Sequence, residues 1–235
     1  MFKTRTLRNI LSISLLFILL GCSSAVKDVP SDKGTETTSY PLIIRDDSGA
    51  EIIILKKPER IISLLPSSTE ILFALGQEKN IQAITKWDNY PANIQEKGYY
   101  AFDDILNPNL EKITALQPDL VFINPGSGEA LRKLRNLDIP VILYNPQNIE
   151  DTYQTIRNIG YITDSSRRAS QIVSAMQEKE KKIKQVVEGI DEKDKPRVWL
   201  ELSNDLFTAG KNTFLDELIT KAGGLNISSD LEGWS

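Results

Sequence analysis

Cys22 is the one thiol of the chain, and it follows directly on Leu19-Leu20-Gly21. A small residue before a cysteine at the end of an apolar run is the pattern of a bacterial lipobox. Cleavage there would free the cysteine for acylation, and two or three acyl chains supply the multiple anchors that stable membrane attachment needs. The apolar run Ile10–Leu20 follows Lys3, Arg5 and Arg8 and is too short to span a bilayer as a mature helix. A plain signal peptide or membrane anchor with an incidental cysteine is the alternative. Other chemistry is excluded by what is missing. There is no histidine, so no Ser-His-Asp triad, no Cys-His nucleophile and no His ligand to zinc or haem iron. A single cysteine makes no intrachain disulfide and no thiolate cluster. Ser127 has no His base, and Gly210-Lys211-Asn212 lacks the Walker spacing. An enzyme is therefore not expected. A net charge of −4, from 28 Lys+Arg and 32 Asp+Glu, argues against a nucleic-acid partner.

With 40% hydrophobic and 26% charged residues, the chain has an ordinary globular composition, and its length allows one or two domains. Ser23 to Ser39 is polar and reads as a flexible tether. Leu42–Arg45 and Glu51–Leu55 around Asp46-Asp47-Ser48-Gly49 predict a β-hairpin. Ile61–Leu65 is a short apolar strand. Ser67 with Glu70 reads as a capping box that opens a helix ending near Gly76. Strands follow at Ile81–Thr85, Leu120–Ile123 and Val141–Tyr144, with Trp87 to Tyr100 as a loop. Helices are predicted from Asn109 through Ala115, from Pro125–Gly128 to about Leu137, and over Ile149–Ile159. This short-period alternation predicts an α/β fold with a doubly wound, largely parallel sheet. Ligands in such sheets bind beyond the carboxyl ends of the strands.

Ser165 to Ile190 differs in kind. Ala169, Ile172, Val173, Met176, Ile183, Val187 and Ile190 recur at helical spacing among many charges. They predict one helix of about 26 residues, roughly 39 Å long. A coiled-coil seam is the alternative, though Glu180 interrupts the stripe. Arg197–Leu202 then reads as a strand and Thr213–Lys221 as a helix closed by Gly223-Gly224. One strand and one helix do not bury both faces of a parallel sheet, so a second lobe begins here and is incomplete at Ser235.

The stretch Pro58 to Gly76 (PERIISLLPSSTEILFALG) resembles the opening of ABC-transporter substrate-binding proteins for cobalamin, haem and ferric siderophores. Asp88-Asn89-Tyr90-Pro91, Asn107-Pro108-Asn109-Leu110-Glu111-Lys112-Ile113, Gln117-Pro118-Asp119-Leu120-Val121 and Ala222-Gly223-Gly224-Leu225-Asn226-Ile227 follow in the family's order. The resemblance runs from about Tyr40 to Ser235, and the wording is most similar to the cobalamin-binding branch. It implies two doubly wound α/β lobes joined by one long α-helix, with the C-terminal lobe incomplete in this chain. The implied division is residues 1–21 signal peptide, 22–39 tether, 40–162 N-terminal lobe, 163–192 connecting helix and 193–235 the start of the second lobe.

The resemblance also implies a role and its residues. The ligand, cobalamin, haem or a ferric siderophore and not a resident cofactor, would lie between the lobes and pass unchanged to a membrane permease. Trp87, Phe207 and Trp234 match aromatic ligand contacts, which suit flat ligands. Tyr90 and Phe102 fall beside the same cleft, and Asn124 stands where cobalamin binders carry an aromatic residue. Glu111 matches an exposed Glu that docks Arg residues of the permease. A second docking Glu would lie beyond Ser235. No metal ligands are expected: Asp103-Asp104 is too small a set for a hard cation and reads as a solvated loop. Gly126-Ser127-Gly128 reads as an ordinary helix start, with an anion-binding turn as the alternative. The implied protein is a monomer in the cell envelope, in the periplasm or held by the Cys22 lipid at the outer face of the cytoplasmic membrane. A truncated remnant or interaction module without transport activity is the alternative reading.

Overall fold

The computed structural model describes residues 37–235. The readings placed on Cys22, on Ile10–Leu20 and on most of the tether lie outside the described residues. The hairpin forms where the sequence puts it. β1 (Leu42–Arg45) and β2 (Glu51–Ile54) pair antiparallel, with Leu42 opposite Ile54 and Arg45 opposite Glu51. Alternate residues Leu42, Ile44, Ile52 and Ile54 are buried, and Ile43 and Ile53 face outward. The turn holds because Asp46 Oδ1 accepts the Ser48 and Ala50 backbone N–H groups, and Gly49 takes φ +80°.

Five parallel strands follow: β3 (Ile61–Ser63), β4 (Ile81–Thr85), β5 (Tyr100–Phe102), β6 (Leu120–Ile123) and β7 (Val141–Leu143). They lie in the order β5-β4-β3-β6-β7. Because the central strand β3 is flanked by β4 on one side and β6 on the other, the winding reverses there. Successive strand residues therefore enter opposite cores. Ile61, Leu120, Phe122 and Ile142 pack with the hairpin and with α1 (Pro66–Ala74), α4 (Ile149–Ile162) and the first half of α5 (Ser166–Val187). Ile62, Val121, Ile123 and Val141 pack instead with α2 (Leu110–Ala115) and α3 (Gly128–Arg135). Continuous apolar strands are what a sheet covered on both faces requires.

Edge strand β7 is covered by the hairpin turn. Asp47 N–H donates to the Leu143 carbonyl at 3.1 Å, and Leu143 N–H donates to Asp46 Oδ2 at 3.0 Å. Arg135 adds an ion pair to the same fully buried carboxylate at 2.7 Å. A single side chain thus closes the turn, caps the sheet edge and neutralises a charge.

Four local expectations change. The Ser67 capping box does not form: α1 starts at Pro66, its cap is the extended Leu65, and Ser67 is exposed. Proline at the first helical position lacks the N–H that a cap would satisfy and presets φ for the helix. The Trp87–Tyr100 loop ends in β5, a strand too short to show alternation, paired in parallel to β4. The long helix α5 has 22 residues, about 33 Å. Only its first half is buried. Ala169 and Val173 lie on α4, where a Cβ on Gly160 would come within 2.4 Å of the Ala169 Cβ, while Ile183 is exposed. The stripe therefore seats half the helix on the first unit. It is not the seam of a coiled coil running its length.

Beyond α5, β8 (Arg197–Val198) and β9 (Leu225–Asn226) pair in parallel, with α6 (Phe214–Lys221) between them. The Arg197–Leu202 strand is regular for two residues only, after which Glu201 bridges to Thr208. Among the described residues, no helix is long and apolar enough to cross a membrane.

Candidate functional site

The parallel register brings the loops after β3, β4, β6 and β7 to one edge of the sheet. Three of the sequence candidates stand there, on two of these loops. After β4, Asp88 turns back and is buried. Its Oδ2 accepts the Thr85 backbone N–H at 2.7 Å and the Thr85 hydroxyl at 2.6 Å, and Thr85 Oγ1 accepts the Trp87 N–H at 3.1 Å. Gln95 closes the loop by donating to the carbonyls of Thr85 and Asp88. This clasp leaves the Trp87 ring pointing outward, 59% exposed. Lys86 Nζ lies 5.3 Å from its centroid and pairs with Asp103 at 3.7 Å. Tyr90 is also exposed, in the loop that follows.

Asn124, after β6, is spent locally: its Oδ1 accepts the Gly126 N–H at 2.8 Å. Ser127 is buried and donates to the Ile105 carbonyl at 2.5 Å, tying the β5–α2 loop to the start of α3. Gly126-Ser127-Gly128 is thus a packed helix start. Phe102 does not face a cleft. It is 2% exposed in the core beneath α2 and α3, with its ring edge-on to Tyr100 at 4.9 Å. The β4 register decides this, because Phe102 stands opposite Thr85 inside the sheet.

Asp104 accepts the Leu106 and Asn107 backbone N–H groups, each at 2.9 Å. These bonds, Asn107 first, hold its carboxyl below the usual carboxylate range. Glu111 sits in the first turn of α2, exposed, and has no ion-pair partner among the described residues. Asn109 caps that turn by accepting the Lys112 N–H at 2.9 Å.

The second group forms across 27 residues of sequence. Phe207 and Trp234 stack with centroids 6.4 Å apart and planes at 18°. A short ladder aligns them: Thr208 and Ser235 exchange both backbone hydrogen bonds, and Gly210 N–H donates to the Gly233 carbonyl at 2.8 Å. Gly210 permits this approach, since a Cβ there would lie 2.4 Å from the Leu231 carbonyl oxygen. Both rings stay open, at 39% and 50% exposure. Among the described residues, no ring of this pair stacks on Trp87 or Tyr90.

Sequence reasoning missed two things. One is the Phe207–Trp234 pairing, which no local pattern signals. The other is the Thr85–Asp88 clasp, for which the Thr-x-x-Asp spacing after a strand was an available sign.

This fold, a doubly wound sheet followed by a helix that carries the chain into a second α/β unit, matches known proteins. The family described as periplasmic binding protein matches residues 61–235. The chain belongs to that family. It is 31% identical over 224 residues to an uncharacterized ABC transporter substrate-binding lipoprotein of Bacillus subtilis, YvrC, covering 92% of this chain and 70% of that protein. It is 27% identical to the vitamin B12-binding protein of Pectobacterium carotovorum over 74% of this chain and 63% of that one. Among solved structures, a possible iron-binding (periplasmic solute-binding) protein from Staphylococcus epidermidis superposes with a TM-score of 0.67. It is 33% identical, covering 77% of this chain and 71% of that one. A cobalamin-binding protein of Halobacterium salinarum is matched over 52% of its length. The chain thus spans between about half and 70% of the relatives it matches.

Proposed function

We propose that this chain is the ligand-capturing part of a substrate-binding protein of an ABC importer. Its ligand is a large metal chelate: cobalamin or haem, each built on a flat macrocycle, or a ferric siderophore. The observation that carries the reading is the pair of open aromatic surfaces, one on each unit. Trp87 projects from the carboxyl edge of the first sheet, and Phe207 with Trp234 forms a stacked platform on the second. Exposed rings of this size favour flat apolar partners. Two similar proteins, described as a vitamin B12-binding protein and as a possible iron-binding protein, support the same class of ligand. Tyr90 lies in the same loop as Trp87 and Asn124 in the loop after β6, and both are assigned to the ligand side in this reading, whereas Phe102 is core. No bond is made or broken in this role: the protein captures and releases.

In this reading Glu111, exposed on the first unit, docks an Arg of the permease as a rim charge pair. Cys22 carries the lipid that keeps the monomer at the outer face of the cytoplasmic membrane or in the periplasm.

The test is titration of the full chain with cyanocobalamin, haemin and a ferric hydroxamate siderophore, followed by tryptophan quenching. Saturable binding of at least one is expected. Trp87→Ala is expected to weaken it about tenfold, a typical loss for an interfacial aromatic anchor. Absence of binding to all three sinks the reading. Loss of fatty-acid labelling in Cys22→Ala checks the anchor.

A further inference from the structure

The two aromatic surfaces can act on one ligand only if the second unit is held at a set angle to the first. Four polar side chains make that connection. Glu217, in the first turn of α6, accepts the backbone N–H of Ile149, the first residue of α4, at 2.9 Å. Glu180 projects from the middle of α5. Its Oε2 accepts the hydroxyl of Tyr153, a buried residue of α4, at 2.9 Å. Its Oε1 accepts from Lys221 at the last turn of α6. Lys221 also pairs with Glu217 at 3.5 Å. Tyr153 and Ile149 belong to the first unit, Glu180 to the long helix, and Glu217 with Lys221 to the second.

The chemistry suits a clasp. Glu180 receives two donors from different elements, so breaking either contact strands a partly covered charge. Glu217 sits where the first N–H groups of α4 have no partner within the helix and where the helix dipole favours an anion. Lys221 joins both acids, so the ring closes electrostatically. Apolar contact contributes beside it: a Cβ on Gly223 would meet Val187 of α5 at 3.0 Å, and Phe214, Leu215 and Ile219 of α6 are half-buried. The second half of α5 is largely exposed, so the polar contacts at Glu180 add to the few that α6 makes with it.

We infer that Glu180, Glu217 and Lys221 are positioning residues: with Tyr153 and the Ile149 N–H they form an inter-unit clasp that sets the separation of Trp87 from Phe207 and Trp234. This rests on the ligand reading given above for its effect on affinity, but not for its effect on geometry.

Spin labels on Asn136→Cys and Asp230→Cys, in the full chain carrying Cys22→Ser, measure the distance between the units without ligand. Glu217→Ala and Lys221→Met are expected to widen the distance distribution about twofold, as when an element that biases two packings is removed. Lys221→Arg, which keeps the charge, should retain the narrow distribution. So should Lys182→Met, which breaks an exposed pair with Glu178 on the same helix. The Ile149 amide should exchange faster in Glu217→Ala. Cyanocobalamin affinity should fall about tenfold in the two disruptive variants, within the range for members of one network. Equal widths in all variants overturn the clasp even if cyanocobalamin binds. Widened distributions in a chain that binds no cyanocobalamin uphold the clasp and overturn the choice of that ligand.

Discussion

The two units are built on different physics. The first has a five-stranded sheet with apolar side chains packed on both faces, and Ile61, Ile62, Leu64, Leu120 and Ile123 are fully buried. The second has two-residue strands, and Trp199, Leu202, Leu206, Ile227 and Leu231 stay exposed. It is held by backbone ladders, by side-chain bonds such as Asn226 to the Ala209 carbonyl, and by the polar connection to α4 and α5. Hydrophobic burial is non-directional and tolerant, whereas hydrogen bonds are directional and modest in net worth. The first unit is therefore a rigid platform, and the second takes its placement from a few specific contacts.

The sharpest way to test that contrast is to damage each unit by its own mechanism. Phe122→Ala, which empties a buried site stacked on Tyr144, should cost about 3–5 kcal/mol. Chemical denaturation should show the loss in the first unit. Asp88→Ala leaves the buried Thr85 donors without a partner, and about 1–3 kcal/mol is expected. Here the Trp87 emission should shift more than the global midpoint moves. Gly210→Ala forces a Cβ against the Leu231 and Gly233 carbonyls. About 1–3 kcal/mol is expected for such overpacking, read as faster amide exchange at Thr208 and Ser235 with the first unit unchanged. Asn109→Ala removes the α2 cap at a cost of about 1 kcal/mol, visible as fraying of that helix by exchange.

The smallest effect is acid sensitivity. The bonds from Lys221 and then Tyr153 hold the Glu180 carboxyl below its ordinary range. Its contribution is present above the unfolded glutamate value and is lost as pH falls through the lowered folded one. At the other end, burial and then Glu180 push the Tyr153 hydroxyl up from 10.0 to about 12. Its stabilisation is present below the unfolded value and is lost as pH rises through the folded one. Glu180→Gln should flatten the acid limb of a thermal-midpoint profile while leaving that of the first-unit core unchanged.

Several helix starts and turns have a local cause. Asn109 and Thr213 stand before apolar-periodic runs and cap α2 and α6 through their own side chains. Asp46-to-Gly49 makes its turn from side-chain and φ preferences within four residues. Ser67 misled because Pro66, one residue earlier, satisfies the same helix start more cheaply in conformational terms. Phe102 misled for a different reason: an aromatic near a strand end faces solvent or core according to its pairing partner, and β5 pairs with a strand 15 or more residues away.

Most element types, their α/β order and the resemblance to the family are legible in the amino-acid sequence, because these follow from period, turn chemistry and spacing along the chain. Long-range packing, and not any local pattern, makes Phe102 core, brings Phe207 onto Trp234 and fastens α6 to α4 through Glu217. Each of these depends on which distant segments come to lie side by side, and such contacts leave no trace within any one segment.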